Sequence, residues 1–249
     1  MIVVTGGTHG IGRASVVHLA RAGAPVLFTG RDAAAGKEVE QLNPGAIYIQ
    51  ADASSDADCA RVVTHAMAAG GGRINGLVNN AGTSARSKFS DAALADWDRL
   101  MAVNARSAFV MIKLALPGLM AAGGAVVNVA SIAGKIGEEG LAIYCASKAA
   151  LIGLTQALSL ELGQRIRFNA ICPGQIDTRM MAAVKSSRRA REQLEVRIPA
   201  GRFGTPEEVA EVIAWLLSPA SSFVNGAIIT VDGGETAGLR TPRTVPEVN

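Results

Sequence analysis

Short runs of consecutive apolar residues recur along the chain, separated by stretches whose apolar positions follow a helical period. Seven runs read as strands: residues 2–5, 25–29, 46–51, 76–79, 125–130, 167–171 and 227–231. Most are continuously apolar rather than alternating, which is the pattern of a strand covered on both faces. Helices are predicted near 12–22, 33–42, 56–69, 91–119, 144–162 and 206–217. Pro206 followed by Glu207 and Glu208 forms a favourable first turn, with proline at the start and carboxylates on the positive end of the dipole. Alternation of this kind predicts an α/β fold: a doubly wound parallel sheet of seven strands with helices on both faces. One domain is expected over 1–249, with a lid over 179–202 as its only long insertion. A tail over 235–249 carries Pro242 and Pro246.

Composition supports a globular chain. Apolar residues make up 49% and charged residues 18%, too apolar for extensive disorder. Aromatics are only 4% and glycines number 28, so the core must be built from small and aliphatic side chains. A net charge of +3 is too mild for a nucleic-acid binder. Cys59, Cys145 and Cys172 are widely spaced, as are His9, His18 and His65. Neither a disulfide framework nor a metal site is expected, and a reduced, cytoplasmic setting fits. The chain runs from Met1 straight into a strand and a glycine turn, unlike a signal peptide. Residues 114–134 are uncharged, but Pro117, Gly118, Gly123, Gly124, Asn128 and Ser131 read as a helix end, a turn and a buried strand. A soluble protein with no membrane span is the expectation.

The first strand leads directly into Thr5-Gly6-Gly7-Thr8-His9-Gly10-Ile11-Gly12. Glycine is needed where backbone takes positive φ and where it must approach a pyrophosphate without a β-carbon in the way. The N–H groups opening the next helix then face the anion. This placement marks a dinucleotide site of the Rossmann type. At the end of the second strand, Gly30 stands where an NAD-preferring site would carry a carboxylate, and Arg31 follows. NADP(H) is the expected cofactor, with Arg31 on the 2′-phosphate. In the rival reading Asp32 reaches the ribose, which leaves NAD(H) open. His9 is either a phosphate neighbour or simply a turn residue.

Tyr144 and Lys148 are four residues apart in a predicted helix, and Ser131 lies thirteen positions upstream of the tyrosine. Such spacing brings phenol and ammonium to one helix face. A neighbouring cation favours the phenolate and would pull its pKa of ~10 toward neutrality, as acid–base work requires. The chain has only two tyrosines, so coincidence has little room.

Taken in order, these residues resemble the short-chain dehydrogenase/reductase family. The resemblance spans 2–234 and adds Asp52, Asn79-Asn80-Ala81-Gly82, Asn104, Pro173-Gly174 with Thr178, and Asp232-Gly233-Gly234. It implies that Gly6, Thr8, His9, Gly10, Ile11 and Gly12 cradle the cofactor phosphates, and that Asp52 meets the adenine with Ala53 beside it. Asn80, Ala81 and Gly82 would wall the adenine ribose, while Pro173, Gly174, Ile176 and Thr178 would hold the nicotinamide carboxamide. Ser131 would hydrogen-bond the substrate carbonyl and Tyr144 would give it a proton. Lys148 would lower the tyrosine pKa and hold the nicotinamide ribose, and Asn104 would anchor a water.

The resemblance also implies a homotetramer built on the Asn104 and Tyr144 helices, and small residues (Ala146, Ala149, Ala150, Gly153) agree with close helix approach. A second contact would use 206–217 and the last strand. The expected pocket is lined by residues after Gly82, by 133–141, by Gln175 and by the lid. Met180, Met181 and Val184 supply apolar lid surface. Lys185, Arg188, Arg189, Arg191, Arg197 and Arg202 read either as a solvated face or as a recruiter of anions. Reduction of a ketone, or the reverse oxidation, ranks first. A 3-oxoacyl-carrier (or CoA) reductase ranks second, because 120–124 carries no charge where an acidic carrier would dock. A non-catalytic dinucleotide-sensing or scaffolding protein is the third reading.

Overall fold

The computed structural model describes residues 1–239, without the side chains of Ala183 and Lys185; the remainder of the expected tail, with Pro242 and Pro246, lies outside the described residues. Its strands are β1 (Ile2–Val4), β2 (Val26–Gly30), β3 (Ala46–Gln50), β4 (Gly76–Asn79), β5 (Ala125–Val129), β6 (Arg167–Pro173) and β7 (Ile228–Val231). They form one parallel sheet in the order β3-β2-β1-β4-β5-β6-β7. The order reverses between β1 and β4, and a crevice for a ligand opens at the carboxyl ends of strands at such a switch point.

Successive strand residues serve opposite faces. Val3, Leu27, Leu77, Val126 and Phe168 meet the helices α3 (Asp56–Ala69) and α5 (Ser107–Ala122) on one side. Val4, Phe28, Val78 and Val127 meet α1 (Gly10–Arg21), α2 (Ala33–Leu42) and α9 (Pro206–Leu217) on the other. That double burial is why the strands lack alternation. The remaining helices are α4 (Leu94–Met101), α6 (Ala142–Leu162), α7 (Ala182–Lys185) and α8 (Arg188–Glu195). The last two lie in the lid.

Three boundaries depart from expectation. Pro117 lies inside α5 rather than ending it, and the helix runs on to a left-handed cap at Gly123 (φ 63°). Buried Gly118 and Leu119 pack the stretch after the proline against the core, which compensates for the missing N–H. β6 extends to Pro173 because Cys172 and Pro173 still pair with Thr230 and Val231. The expected helix 91–119 is α4 and α5 joined by a π-turn over Ala102–Arg106, centred on Asn104. This joined helix and α6 are long and apolar enough to cross a membrane by length and composition. Each nevertheless carries polar side chains to the interior, namely Asn104 and Lys148.

The far edge of the sheet illustrates how tightly the faces are filled. Tyr48 packs its ring on α2 and donates from its hydroxyl to Gly30 O at 2.8 Å. A β-carbon on Gly36 would lie 2.3 Å from that ring. We expect Gly36→Ala to lower unfolding stability by about 1–3 kcal/mol in denaturant titration, outweighing the ~1 kcal/mol that alanine adds to an unconstrained helix. Unchanged stability would mean that the ring yields.

Candidate active site

The glycine turn is braced from β4. Asn80 Nδ2 donates to Thr5 O (2.9 Å) and Gly6 O (3.0 Å), and Thr5 Oγ1 accepts from the N–H groups of Asn80 and Ala81. The two amide N–H donors of Asn80 are therefore engaged by the turn, beside Ala81 and Gly82. Gly6 and Gly10 have φ of 66° and 54°. A β-carbon on Gly12 would lie 2.2 Å from Gly6 O, so only glycine lets α1 start this close. α1 has no acidic residue in its first turn, and its N-cap, His9, makes no side-chain cap bond. The helix thus presents donors without the usual protein acceptor, which suits an anion.

Thr8 is buried against Gly30, where a β-carbon would come within 2.4 Å of the Thr8 methyl. His9 Nδ1 lies 3.0 Å from Thr8 Oγ1, and its Nε2 lies 3.4 Å from an Asp32 oxygen. Burial, then the Arg179 charge, holds the His9 pKa below its ordinary value despite Asp32. Asp32 caps α2, accepting from Ala35 N at 3.1 Å. The carboxylate that the rival reading assigns to a ribose is therefore engaged by its own helix. Arg31 is exposed. Asp52 accepts at Oδ1 from Ser54 N (2.9 Å) and Ser54 Oγ (2.7 Å). Those bonds, with a smaller contribution from Arg31, hold its carboxyl below the usual range. Ala53 stands next in this turn, its carbonyl accepting from Cys59 Sγ.

Ser131 stands two residues beyond β5, capping a short turn, and Tyr144 and Lys148 project from α6 toward the same place. The Ser131 side chain hydrogen-bonds the Tyr144 phenol. The Lys148 ammonium lies 5.8 Å from the Tyr144 ring centre and donates to Val129 O at 2.8 Å. Burial lowers the Lys148 pKa to about 8. The expected lowering of the tyrosine by lysine is absent here: burial pushes the phenol above its ordinary value, and Glu138 adds to this, against the Ser131 bond. Desolvation outweighs the Ser131 bond, so the phenol keeps its proton at neutral pH.

Asn104 accepts from Thr83 N and donates to Thr83 O (both 2.8 Å) and to Ser147 Oγ (2.9 Å). Its side chain ties the loop after Gly82 to α6, with both amide N–H donors engaged. A β-carbon on Gly82 would lie 3.3 Å from Lys148 Nζ, so glycine keeps the approach to the ammonium open. After β6, Gly174 donates its N–H to Val231 O, buried Ile176 pairs with Gly204, and the Thr178 methyl lies 3.2 Å from a β-carbon position on Gly10. The segment from Pro173 through Gly174 and Ile176 to Thr178 thereby runs from the end of β6, which pairs with β5, to the glycine turn.

Sequence reasoning missed three features. A buried chain of bonds runs from Asn79 Nδ2 to Asn128 Oδ1 and from Asn128 Nδ2 to Thr155 Oγ1, each 2.8 Å, locking β4, β5 and α6. Asn79 and Asn128 inside apolar strands were the available signal. Arg86 Nη2 meets Glu138 at 2.5 Å, joining the loop after Gly82 to the loop before α6. Glu235, whose side chain is only 3% exposed, pairs with Arg197 of the lid at 2.8 Å. Arg188, Arg191 and Arg202 are likewise paired, with Glu192, Glu195 and Glu208. The basic lid is mostly an ion-paired surface.

Two deductions about a nucleotide cofactor follow from this geometry. Its phosphates fit the uncapped start of α1, and its ribose hydroxyls fit an ammonium that has three N–H donors and, among the described residues, one recorded acceptor. Comparison with known proteins agrees. A family model described as enoyl-(acyl carrier protein) reductase matches residues 6–236. The chain is 37% identical to 2-(S)-hydroxypropyl-CoM dehydrogenase 3 of Xanthobacter autotrophicus, over 95% of this chain and 96% of that one. It is 38% identical to a 3-oxoacyl-[acyl-carrier-protein] reductase of Thermotoga maritima, over 93% and 96%. A Brucella melitensis structure, a short-chain dehydrogenase/reductase of the glucose/ribitol dehydrogenase type, superposes with a TM-score of 0.89 at 35% identity, covering 94% of this chain and 95% of that one. The chain belongs to the short-chain dehydrogenase/reductase family, oxidoreductases that act on alcohol and carbonyl groups with a nicotinamide nucleotide.

Proposed function

We propose that this protein interconverts a ketone and a secondary alcohol with NADP(H) in preference to NAD(H). The observation that carries the reading is the convergence of Ser131, Tyr144 and Lys148 at the carboxyl ends of β5 and β6, opposite the uncapped start of α1. When bound, the nicotinamide supplies or removes the hydride. Ser131 hydrogen-bonds the carbonyl oxygen, and Tyr144, protonated at neutral pH, delivers the proton as that oxygen gains charge. Lys148 holds the ribose hydroxyls, and its ammonium stabilises the phenolate left after proton transfer. Arg31 reads the 2′-phosphate.

A second reading, reduction of a 3-oxoacyl group on an acidic carrier, gains one observation. The uncharged stretch 120–124 has a neighbour that the sequence did not reveal: Arg165 donates to Met120 O at 3.4 Å and brings an exposed guanidinium to that place. A homotetramer in the cytoplasm fits either reading. Phe109 and Leu160, on α5 and α6, are 54% and 89% exposed, and nothing lies within 4 Å of a β-carbon on Gly153. Such an apolar face suits pairing with a second copy.

Tyr144→Phe should cut kcat by roughly 10²-fold or more while NADPH still binds; an active variant would refute the proton-donor role. It also separates an enzyme from a dinucleotide sensor, which would show no turnover in the wild type. Arg31→Ala should weaken NADPH about tenfold and leave NADH nearly unchanged, since only NADPH offers the guanidinium a 2′-phosphate. Equal weakening would show that Arg31 does not read it. Gly30→Asp is a poorer probe, because its β-carbon meets Thr8. Light scattering should give about four times the 25.6 kDa chain mass, and an active monomer contradicts the tetramer.

A further inference from the structure

The glycine turn opens into a groove of about 1330 Å³ that runs along the outer face of α1, between the start of α9 and the beginning of the lid. Among the described residues, its lining includes three arginines: Arg13, Arg21 and Arg179. Arg13 is held by Glu38 at 2.9 Å. Arg21 ends α1, and eleven residues of helix place it ~16 Å from the turn. Arg179 is different. It follows Thr178, whose methyl rests against Gly10, and it is exposed, with no ion pair recorded to any described residue.

The other cationic candidate at the turn is His9, and it does not fill the role. Burial and the nearby Arg179 charge both favour its neutral form. The start of α1 therefore offers backbone donors on one side, and the cation across from them comes from the lid. A guanidinium has the planar pair of N–H groups that matches phosphate oxygens.

We propose that Arg179 closes over the cofactor pyrophosphate from the lid side, opposite the N–H groups of α1, so that cofactor binding draws in the first residues of the lid. The proposal rests on the nicotinamide-nucleotide reading above. It assigns Arg179 a different phosphate from Arg31, one common to both cofactors.

Dissociation constants of NADPH, NADH, ADP-ribose and 2′-AMP, measured by calorimetry for wild type, Arg179→Ala and Arg179→Lys, test it. Arg179→Ala should weaken the first three about tenfold each, and Arg179→Lys about threefold, as a charge-assisted bond is lost or reduced to a point charge. 2′-AMP has no pyrophosphate, so its affinity should not change. ADP-ribose should also slow tryptic cleavage of the lid in wild type but not in Arg179→Ala. Unchanged ADP-ribose affinity in Arg179→Ala overturns the proposal, as does a loss confined to the compounds carrying a 2′-phosphate. A wild type that binds none of the dinucleotides overturns the cofactor reading itself, an outcome distinct from tight binding that ignores Arg179.

Discussion

Lys148 brings a positive charge to a place that water hardly reaches, and Val129 O on a different element is its recorded acceptor. A buried ammonium with, among the described residues, one acceptor for its three donors is costly, and its lowered pKa expresses that cost. The surroundings hold it there all the same. Gly134 has no β-carbon, and one would lie within 2.8 Å of the Lys148 backbone, so the turn after Ser131 presses directly on α6. Asn104 holds Ser147 from the other side. Beneath, the Asn79–Asn128–Thr155 chain keeps β4, β5 and α6 in register. Hydroxyls that satisfy the free donors would recover part of this cost, so ligand binding and the rigidity of the crevice reinforce each other.

The opposite end of the crevice is organised differently. No large charge is buried there; the backbone itself forms the site, through left-handed glycines and an uncapped helix start. The acids that might compete for that start are committed elsewhere, Asp32 to capping α2 and Glu38 to Arg13. One end of the crevice therefore binds through donors on rigid backbone and the other through an imperfectly solvated side chain.

Much of this was legible in the sequence, for identifiable reasons. Strands buried on both faces announce themselves as apolar runs, and a glycine turn between strand and helix is local, so neither needed tertiary information. Pro117 misled because local rules cannot see the packing of Gly118 and Leu119 that carries the helix past it. The sign of the Tyr144 shift was misjudged for a similar reason: the four-residue spacing to Lys148 is a sequence property, whereas burial is a property of the fold. Pairs such as Arg197 with Glu235 and Arg86 with Glu138 join segments that only the sheet topology brings together. The basic residues of the lid looked unbalanced because half of their partners are i,i+4 glutamates and the rest lie outside the lid.

The bonds at the two ends of the lid have a consequence for how this fold diversifies. Asp177 N donates to Gly204 O and Gly204 N to Gln175 O, so the segment leaves and re-enters the body at a single point. The price of closing a loop grows only slowly with its length. Arg197 and Ala200 are tied to Glu235 and Gly233 beyond β7, so it is the stretch before Arg197 that can lengthen, shorten or be exchanged without moving β6 or β7. The hydride-transfer end of the molecule and the part that selects what enters it are therefore mechanically separable, and a new specificity can be installed as an insert while the sheet remains as it is.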